Sequence, residues 1–563
     1  TSTIGVNRTI NMNPYYNSTQ SDIVNGVGGN QASITNNRSL QILWSNILNY
    51  NTIFNKMHSL NVMLGQEAQS YEYFQNVATI DGISDDYYQW YNMGAGSTLK
   101  APSSNYTGDK MLSYFARINY SFKDRYLVTV TGRFDGSSKF GEDNRFAFFP
   151  SAALGWRASE EDFLKGNKVI SNLKPRVSYG FTGNSGIPTY GSMANLSTNG
   201  MAYPFGGTRE NGIGVGSLAN PLLRWEKTGQ FNVGLDLGFL NERISLSADY
   251  YIKHTTDMLL NAPVPTTSGF RSISTNIGNM RNSGFEFTLN TQNIQTKNFS
   301  WSSMLNFSSL KNKITALSQG DADIIMAPNN LTILRVGESV GSFFGYIRDG
   351  VWGENETEQA AIYGKLPGDA KLRDVNNDKQ INESDRVILG KGIPDFYGTF
   401  TNTFKYKDFD LVIELQYSCG SKIYWDGLGT CAMRQGIANS LSMVLDTWTP
   451  ENQGATLEQI RPSNAYYNSL KDDARLYNGS FIRGKNISLG YNLPSDICKK
   501  LHLKALRVTL SAQNIFVISQ YPGFDPETTV YNTTTQNEAF AQNIETFGYP
   551  KPRTFSFGAN ITF

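Results

Sequence analysis

The sequence predicts an all-β fold: a transmembrane antiparallel β-barrel with short periplasmic turns and long extracellular loops. The first sign is the closing segment FSFGANITF, in which Phe555, Phe557, Ala559, Ile561 and Phe563 fall on one face of a strand and Ser556, Gly558, Asn560 and Thr562 on the other. A membrane barrel asks this of every strand, one face for lipid and one for a watery lumen. The second sign is that mean hydropathy is negative and no run of about eighteen apolar residues occurs. Helical spans are thereby excluded, whereas barrel strands escape such a scan because every second residue is polar. The third is that the connections between alternating segments are short and long by turns.

Taken in order, alternation first becomes clear near residues 38–54, and the Asn/Ser/Thr/Gly-rich stretch before it reads as a surface loop. The FNKMHS connection at 54–59 is short, and alternation resumes at 114–122 and, after the Lys-Asp turn at 123–124, at 126–134. In 231–239, Phe231, Val233, Leu235, Leu237 and Phe239 oppose Asn232, Gly234, Asp236 and Gly238. In 244–253, Ile244, Leu246, Ala248, Tyr250 and Ile252 oppose Ser245, Ser247, Asp249, Tyr251 and Lys253. Further strands are expected at 285–289, 409–417, 506–513 and 553–563. Short turns fall at 240–243, 295–298 and 407–408, and long loops at roughly 75–110, 184–223, 260–281, 314–393, 426–473 and 519–552. The total is about fifteen strands in one domain. Bacterial single-chain barrels have even strand numbers, so an odd number of strands is expected ahead of Thr1, with no signal peptide opening the sequence.

Composition narrows the function classes. A net charge of +1 speaks against nucleic acid as a partner. The three cysteines, Cys419, Cys431 and Cys498, form no CxxC pair, and the three histidines are far apart, so a thiol-ligated zinc site is not expected. Cys419 and Cys431 are left either bridged or free. No nucleophile with a paired base and no carboxylate dyad is recognisable, so no enzyme and no organic cofactor are expected.

Several segments resemble the SusC/RagA family of TonB-dependent outer-membrane transporters. They include SYFARINYSFKDRYLVTVTGRFDGSSKFGEDNRFAFFPSAALGWRASEEDFL (113–164), LRWEKTGQFNVGLDLGFLNERISLSADYYIKHTTDML (223–259), LRDVNNDKQINESDRVILGKGIPDFYGTF (372–400), ARLYNGSFIRGKNISLGYNLP (474–494) and GYPKPRTFSFGANITF (548–563). The resemblance runs in order through residues 113–563. It implies a barrel of about 22 strands in the outer membrane, surrounded by lipid and holding an N-terminal plug with a TonB-binding box. It also implies a SusD-like surface lipoprotein over the barrel, a dimer of transporter–lipoprotein pairs, and import of oligosaccharides or oligopeptides. Plug, TonB box and first strands are absent from the sequence, so residues 1–563 read as the C-terminal part of such a barrel, completed upstream or by a separate chain.

Three groups of residues stand out as candidate sites. In DVNNDKQINESD, the oxygens of Asp374, Asn376, Asp378, Gln380, Asn382 and Asp385 occupy positions 1, 3, 5, 7, 9 and 12 of a calcium loop, with Ile381 as apolar anchor. Lys379 stands where such loops carry glycine and Asp385 where they carry Glu, so the alternative is an Asx-rich turn. A bound Ca²⁺ would be structural. In DDYYQWY, Tyr87, Tyr88, Trp90 and Tyr91 are weak candidates for stacking on sugar rings, against loop packing or contact with the lipoprotein; Trp352 and Trp425 share the ambiguity. The charges Arg117, Arg133, Asp236, Asp249, Glu286, Glu414 and Arg507 fall on the polar faces of strands and either guide cargo or anchor the plug. Two rival functions are a passive pore, which needs an open lumen, and a barrel-anchored binding protein.

Overall fold

The computed structural model describes residues 1–18, 30–197, 202–270, 272–326, 330–432, 440–461, 470–528, 540–546 and 548–563. The chain divides into two compact units, the first comprising 1–155, 178–229 and 257–277, the second 156–177, 230–256 and 278–563.

Unit one is an antiparallel ladder. Strand β1 (Ser2–Asn17) pairs along its whole length with β2 (Gln31–Phe54), which pairs with β3 (His58–Ile83). Next come β4 (Ser103–Phe122), β5 (Tyr126–Ser137), β6 (Phe146–Trp156) and the outer part of β7 (Ile170–Asn184). The turns after β2 and β4 are tight, with Asn55 and Lys56, then Lys123 and Asp124, at positive φ. That geometry suits two-residue hairpins because its twist matches that of the flanking strands. Aromatic rings collect at this end: Phe54 stacks on His58 at 4.8 Å, and Phe122 lies 6.3 Å from Tyr126. Such a belt is what an interface between hydrocarbon and water selects. At the other end the loops carry a small core of their own, Phe140, Phe149, Ile187, Leu223 and Trp225, with the Trp225 indole donating to the Arg145 carbonyl at 2.9 Å.

Unit two continues the same grammar. The inner part of β7 is followed by β8 (Glu226–Phe239), β9 (Ile244–Thr256), β10 (Asn279–Gln295), β11 (Phe299–Ser309) and β12 (Phe396–Tyr406). The ladder closes with β13 (Phe409–Cys419), β14 (Phe481–Asn492), β15 (Ala505–Gln513) and β16 (Thr554–Thr562). Here too the short-turn end is aromatic, with Trp301 on Phe404 at 5.7 Å and Phe409 on Tyr491 at 4.3 Å. The loop between β11 and β12 is not irregular. It folds a four-stranded sheet from Ile324–Met326, Thr332–Leu334, Ser342–Gly345 and Val387–Lys391, whose core of Leu331 and Phe343 closes against Tyr424, Ala541 and Ile544.

Among the described residues, 2–17 form the long strand β1 where the sequence was expected to make a surface loop. Ile4, Val6, Ile10 and Met12 do alternate and are more than half exposed, but Arg8 and Pro14 break the pattern on the same face. Proline donates no ladder hydrogen bond, and β1 pairs on one side only among the described residues, where a strand tolerates it. The loop expected at 75–110 also shrinks to residues 84–102, since β3 and β4 stay paired as far as Val77 and Ser103. Cys419, Cys431 and Cys498 are free thiols.

Candidate functional site: an Asx loop, an aromatic tip and the polar wall

The Asx loop lies between the strand Ala370–Leu372 and the strand Val387–Lys391. Its side chains fold back on its own amides. The Asp374 carboxylate accepts from Asp378 N–H at 3.2 Å and Lys379 N–H at 2.8 Å, and Asp378 accepts from Gln380 N–H at 2.8 Å. Asn376 accepts from Asp378 N–H at 3.1 Å, and Asn382 from Ser384 N–H at 2.9 Å. The buried Asp385 ties the two ends, accepting from Val375 N–H at 2.8 Å and Asn382 N–H at 2.9 Å. Ile381 packs against the cluster of Ala370, Leu372 and Leu470. Lys379, at the place of the missing glycine, takes φ +63, so the backbone makes the left-handed bend without it. Among the described residues, no three His, Cys, Asp or Glu side chains are gathered as a metal centre. The Asx-turn arrangement is thus directly visible. It leaves oxygen capacity spare, since each carboxylate oxygen carries two lone pairs.

The aromatic run divides into an anchored half and an exposed half. Trp90 packs against the cluster of Ala32, Ile80 and Ile83, and Tyr91 stacks on it at 4.2 Å. Asp86 accepts hydrogen bonds from the Tyr16 and Ser18 hydroxyls. Tyr87, Tyr91 and Tyr88 are exposed, at 87 %, 72 % and 39 %. Trp352 is buried beneath the Lys371 ammonium, 4.6 Å from its ring, and stacks with Tyr363. Trp425 meets Tyr477 and Tyr521 edge to face. Both tryptophans therefore serve packing.

The polar-face charges largely find partners within the wall. Arg133 donates to Asp135 at 2.7 Å and to Ser113 at 2.9 Å. Arg176, which sequence reading did not single out, joins three strands: it donates to Asp249 at 2.6 Å and to Asp236 at 3.3 Å, while Ser247 bridges to Asp236. Arg507 grips Asp410 bidentately at 2.6 and 2.8 Å, and Lys485 lies 3.4 Å from Glu414. Glu286 sits opposite Asp249 in the register, and Arg117 is exposed with its guanidinium 3.8 Å from the Met63 sulfur.

A further ionic group, invisible in the sequence, lies among the long loops. The Arg348 side chain, 7 % exposed, contacts Glu458 at 2.8 Å and also Asp472, both carboxylates being fully buried. Its backbone N–H donates to Asp473 at 2.8 Å. The partner charges hold the guanidinium well above its ordinary pKa despite its burial. Nearby, burial pushes the Glu545 carboxyl up, against the opposing hydrogen bond from Gly548 N–H at 2.6 Å.

Comparison with known proteins fits these features to one family. Residues 2–515 match the model described as TonB dependent receptor-like, beta-barrel. TonB-dependent receptor P3 of Formosa agariphila is 35 % identical over 550 residues, covering 96 % of this chain and 54 % of the relative. TonB-dependent receptor SusC of Bacteroides thetaiotaomicron is 34 % identical over 481 residues, covering 83 % of this chain and 45 % of SusC. The chain thus spans about half the length of the curated relatives it matches. The solved RagAB peptide transporter superposes at a TM-score of 0.84 with 26 % identity, over 100 % of this chain and 60 % of that one. The relatives are outer-membrane proteins and not enzymes. With the family model matched over most of its length and relatives more than 30 % identical across most of it, the chain belongs to the β-barrel of the TonB-dependent receptors of the outer membrane.

Proposed function

We propose that the protein imports oligosaccharides or oligopeptides across the outer membrane, energised through a TonB-engaging plug and supplied by a SusD-like surface lipoprotein. The observation that supports this most is the match along the whole chain to a solved peptide transporter. The wall adds to it: its inner charges are paired across strands, giving a stiff hydrated surface rather than a reactive cleft. Labelled oligosaccharides and oligopeptides, offered to cells with and without TonB, test the reading. Uptake that depends on TonB supports it; uptake indifferent to TonB favours the passive pore, and surface retention without entry favours a binding protein. Co-purification with a lipoprotein as paired complexes, two pairs to an assembly, tests the partner.

The Asx loop is proposed as a structural Ca²⁺ site. Asp374, Asn376, Asp378, Asn382 and Asp385 would supply side-chain oxygens and Gln380 its carbonyl, a hard oxygen set suited to that ion. The support is the left-handed Lys379 and the anchored Ile381.

A further inference from the structure

On the polar face of β12, β13 and β14, at the ends farthest from the aromatic belt, lies a cavity of about 560 Å³, within the range of small-molecule sites. Its floor is set by register. Tyr397 is opposite Ser418, Ser418 opposite Phe481, and Gln416 opposite Arg483, so these side chains share one face. Glu527 and Asn543 complete the lining from the loops, where Asn543 is fixed by donating to the Gly392 carbonyl at 2.9 Å.

The chemistry of the lining is selective. Glu527 is the cavity's carboxylate, and it is neutralised: Lys551 donates to it at 2.6 Å, the Arg483 guanidinium lies 3.2 Å away, and Gln416 donates at 2.9 Å. Arg483 is in turn balanced by Asp525 at 2.6 Å. Two acids and two bases leave no net charge for an ionic ligand. What remains is neutral and polar: the Gln416, Gln542 and Asn543 amides, and hydroxyls on Tyr397, Ser418 and Thr528. The Thr528 hydroxyl is buried with no hydrogen-bond partner among the described residues. A hydroxyl both donates and accepts, as do these groups, and the exposed Tyr397 ring offers apolar surface to C–H groups.

We infer that this cavity is a subsite for a neutral sugar unit of the cargo. Its purpose rests on the import reading, whereas its ligand preference rests on the cavity alone. The intact protein, purified in detergent, is titrated calorimetrically with neutral gluco-, manno- and xylo-oligosaccharides, with uronate oligosaccharides of equal length, and with short peptides. One neutral series is expected to bind. Gln416→Ala weakens it roughly tenfold, the scale of one or two lost hydrogen bonds. Ser418→Trp, which fills the cavity, removes binding. The milder Gln416→Ala keeps the test valid should the bulkier variant fail to assemble. Binding of only the charged series or only peptides, of no series, or of a neutral series indifferent to Gln416→Ala and to any assembled Ser418→Trp overturns the subsite. Uptake of the same probes by whole cells separates the two readings. Cavity-dependent binding without uptake removes import and leaves the subsite; uptake unaffected by both substitutions does the reverse.

Discussion

Arg348 holds two carboxylates out of water, and each of the three groups relies on the others. Removing one member of a buried ionic group leaves uncompensated charge, at a cost of about 3–5 kcal/mol. Arg348→Ala is therefore expected to open the loop domain of unit two to limited proteolysis while leaving the barrel's resistance intact; equal digestion of mutant and wild type would show the group to be dispensable. Glu545 gives a pH signature. Its folded pKa is raised, so its contribution is fully present below the unfolded value of about 4.3 and is lost as pH rises through the folded value. Glu545→Gln is expected to flatten that loss, read as loop-domain melting temperature between pH 4 and 8. Asp378→Ala tests the cation loop: it should lower the thermal resistance of residues 374–385 to protease in Ca²⁺, and a wild-type loop cut equally with and without chelator removes the metal. The Asx turns of this loop were legible because the residues that make them fall within twelve consecutive positions. Arg348 was not, since Glu458 and Asp472 lie 110 and 124 residues away, and no local spacing records such a meeting.

Among the strands, β12 shows how close approach dictates a residue. A side chain at Gly398 would collide with the Asn306 carbonyl and the Tyr417 ring, which lies across the glycine while its hydroxyl donates to that carbonyl at 2.9 Å. An aromatic ring covering a strand glycine pins the register. Gly398→Val, an overpacking change of about 1–3 kcal/mol, should reduce the share of protein showing heat-modifiable migration on gels. Strands within the membrane were legible because lipid demands an apolar residue at every second place, as in β8 and β9. Beyond the lipid that demand lapses. The outer end of β3, from Gln75 and Asn76 onward, reads as loop, though backbone pairing holds it as strand. The loop domain's short strands, three to five residues each, give too few positions for any period to emerge.

For the molecule as a whole, the membrane supplies the test of which face is which. Phe400 lies opposite Leu305 and Leu415 on the apolar face, while the neighbouring Thr401 lies opposite Met304 and Glu414 on the polar one. Arginine on the lipid face near the midplane costs about 2–4 kcal/mol, so Phe400→Arg should impair assembly into outer membranes and Thr401→Arg should not. Equal assembly of the two would mean that the faces have been assigned wrongly. The length of β3 has a consequence of another kind. Its 26 residues far exceed the roughly ten that cross a bilayer, so its outer half rises from the cell as a paired ribbon tipped by Tyr87 and Tyr91. Less than half of β3 is thus needed to cross the hydrocarbon, and the larger share of its ladder hydrogen bonds is made where water competes for them.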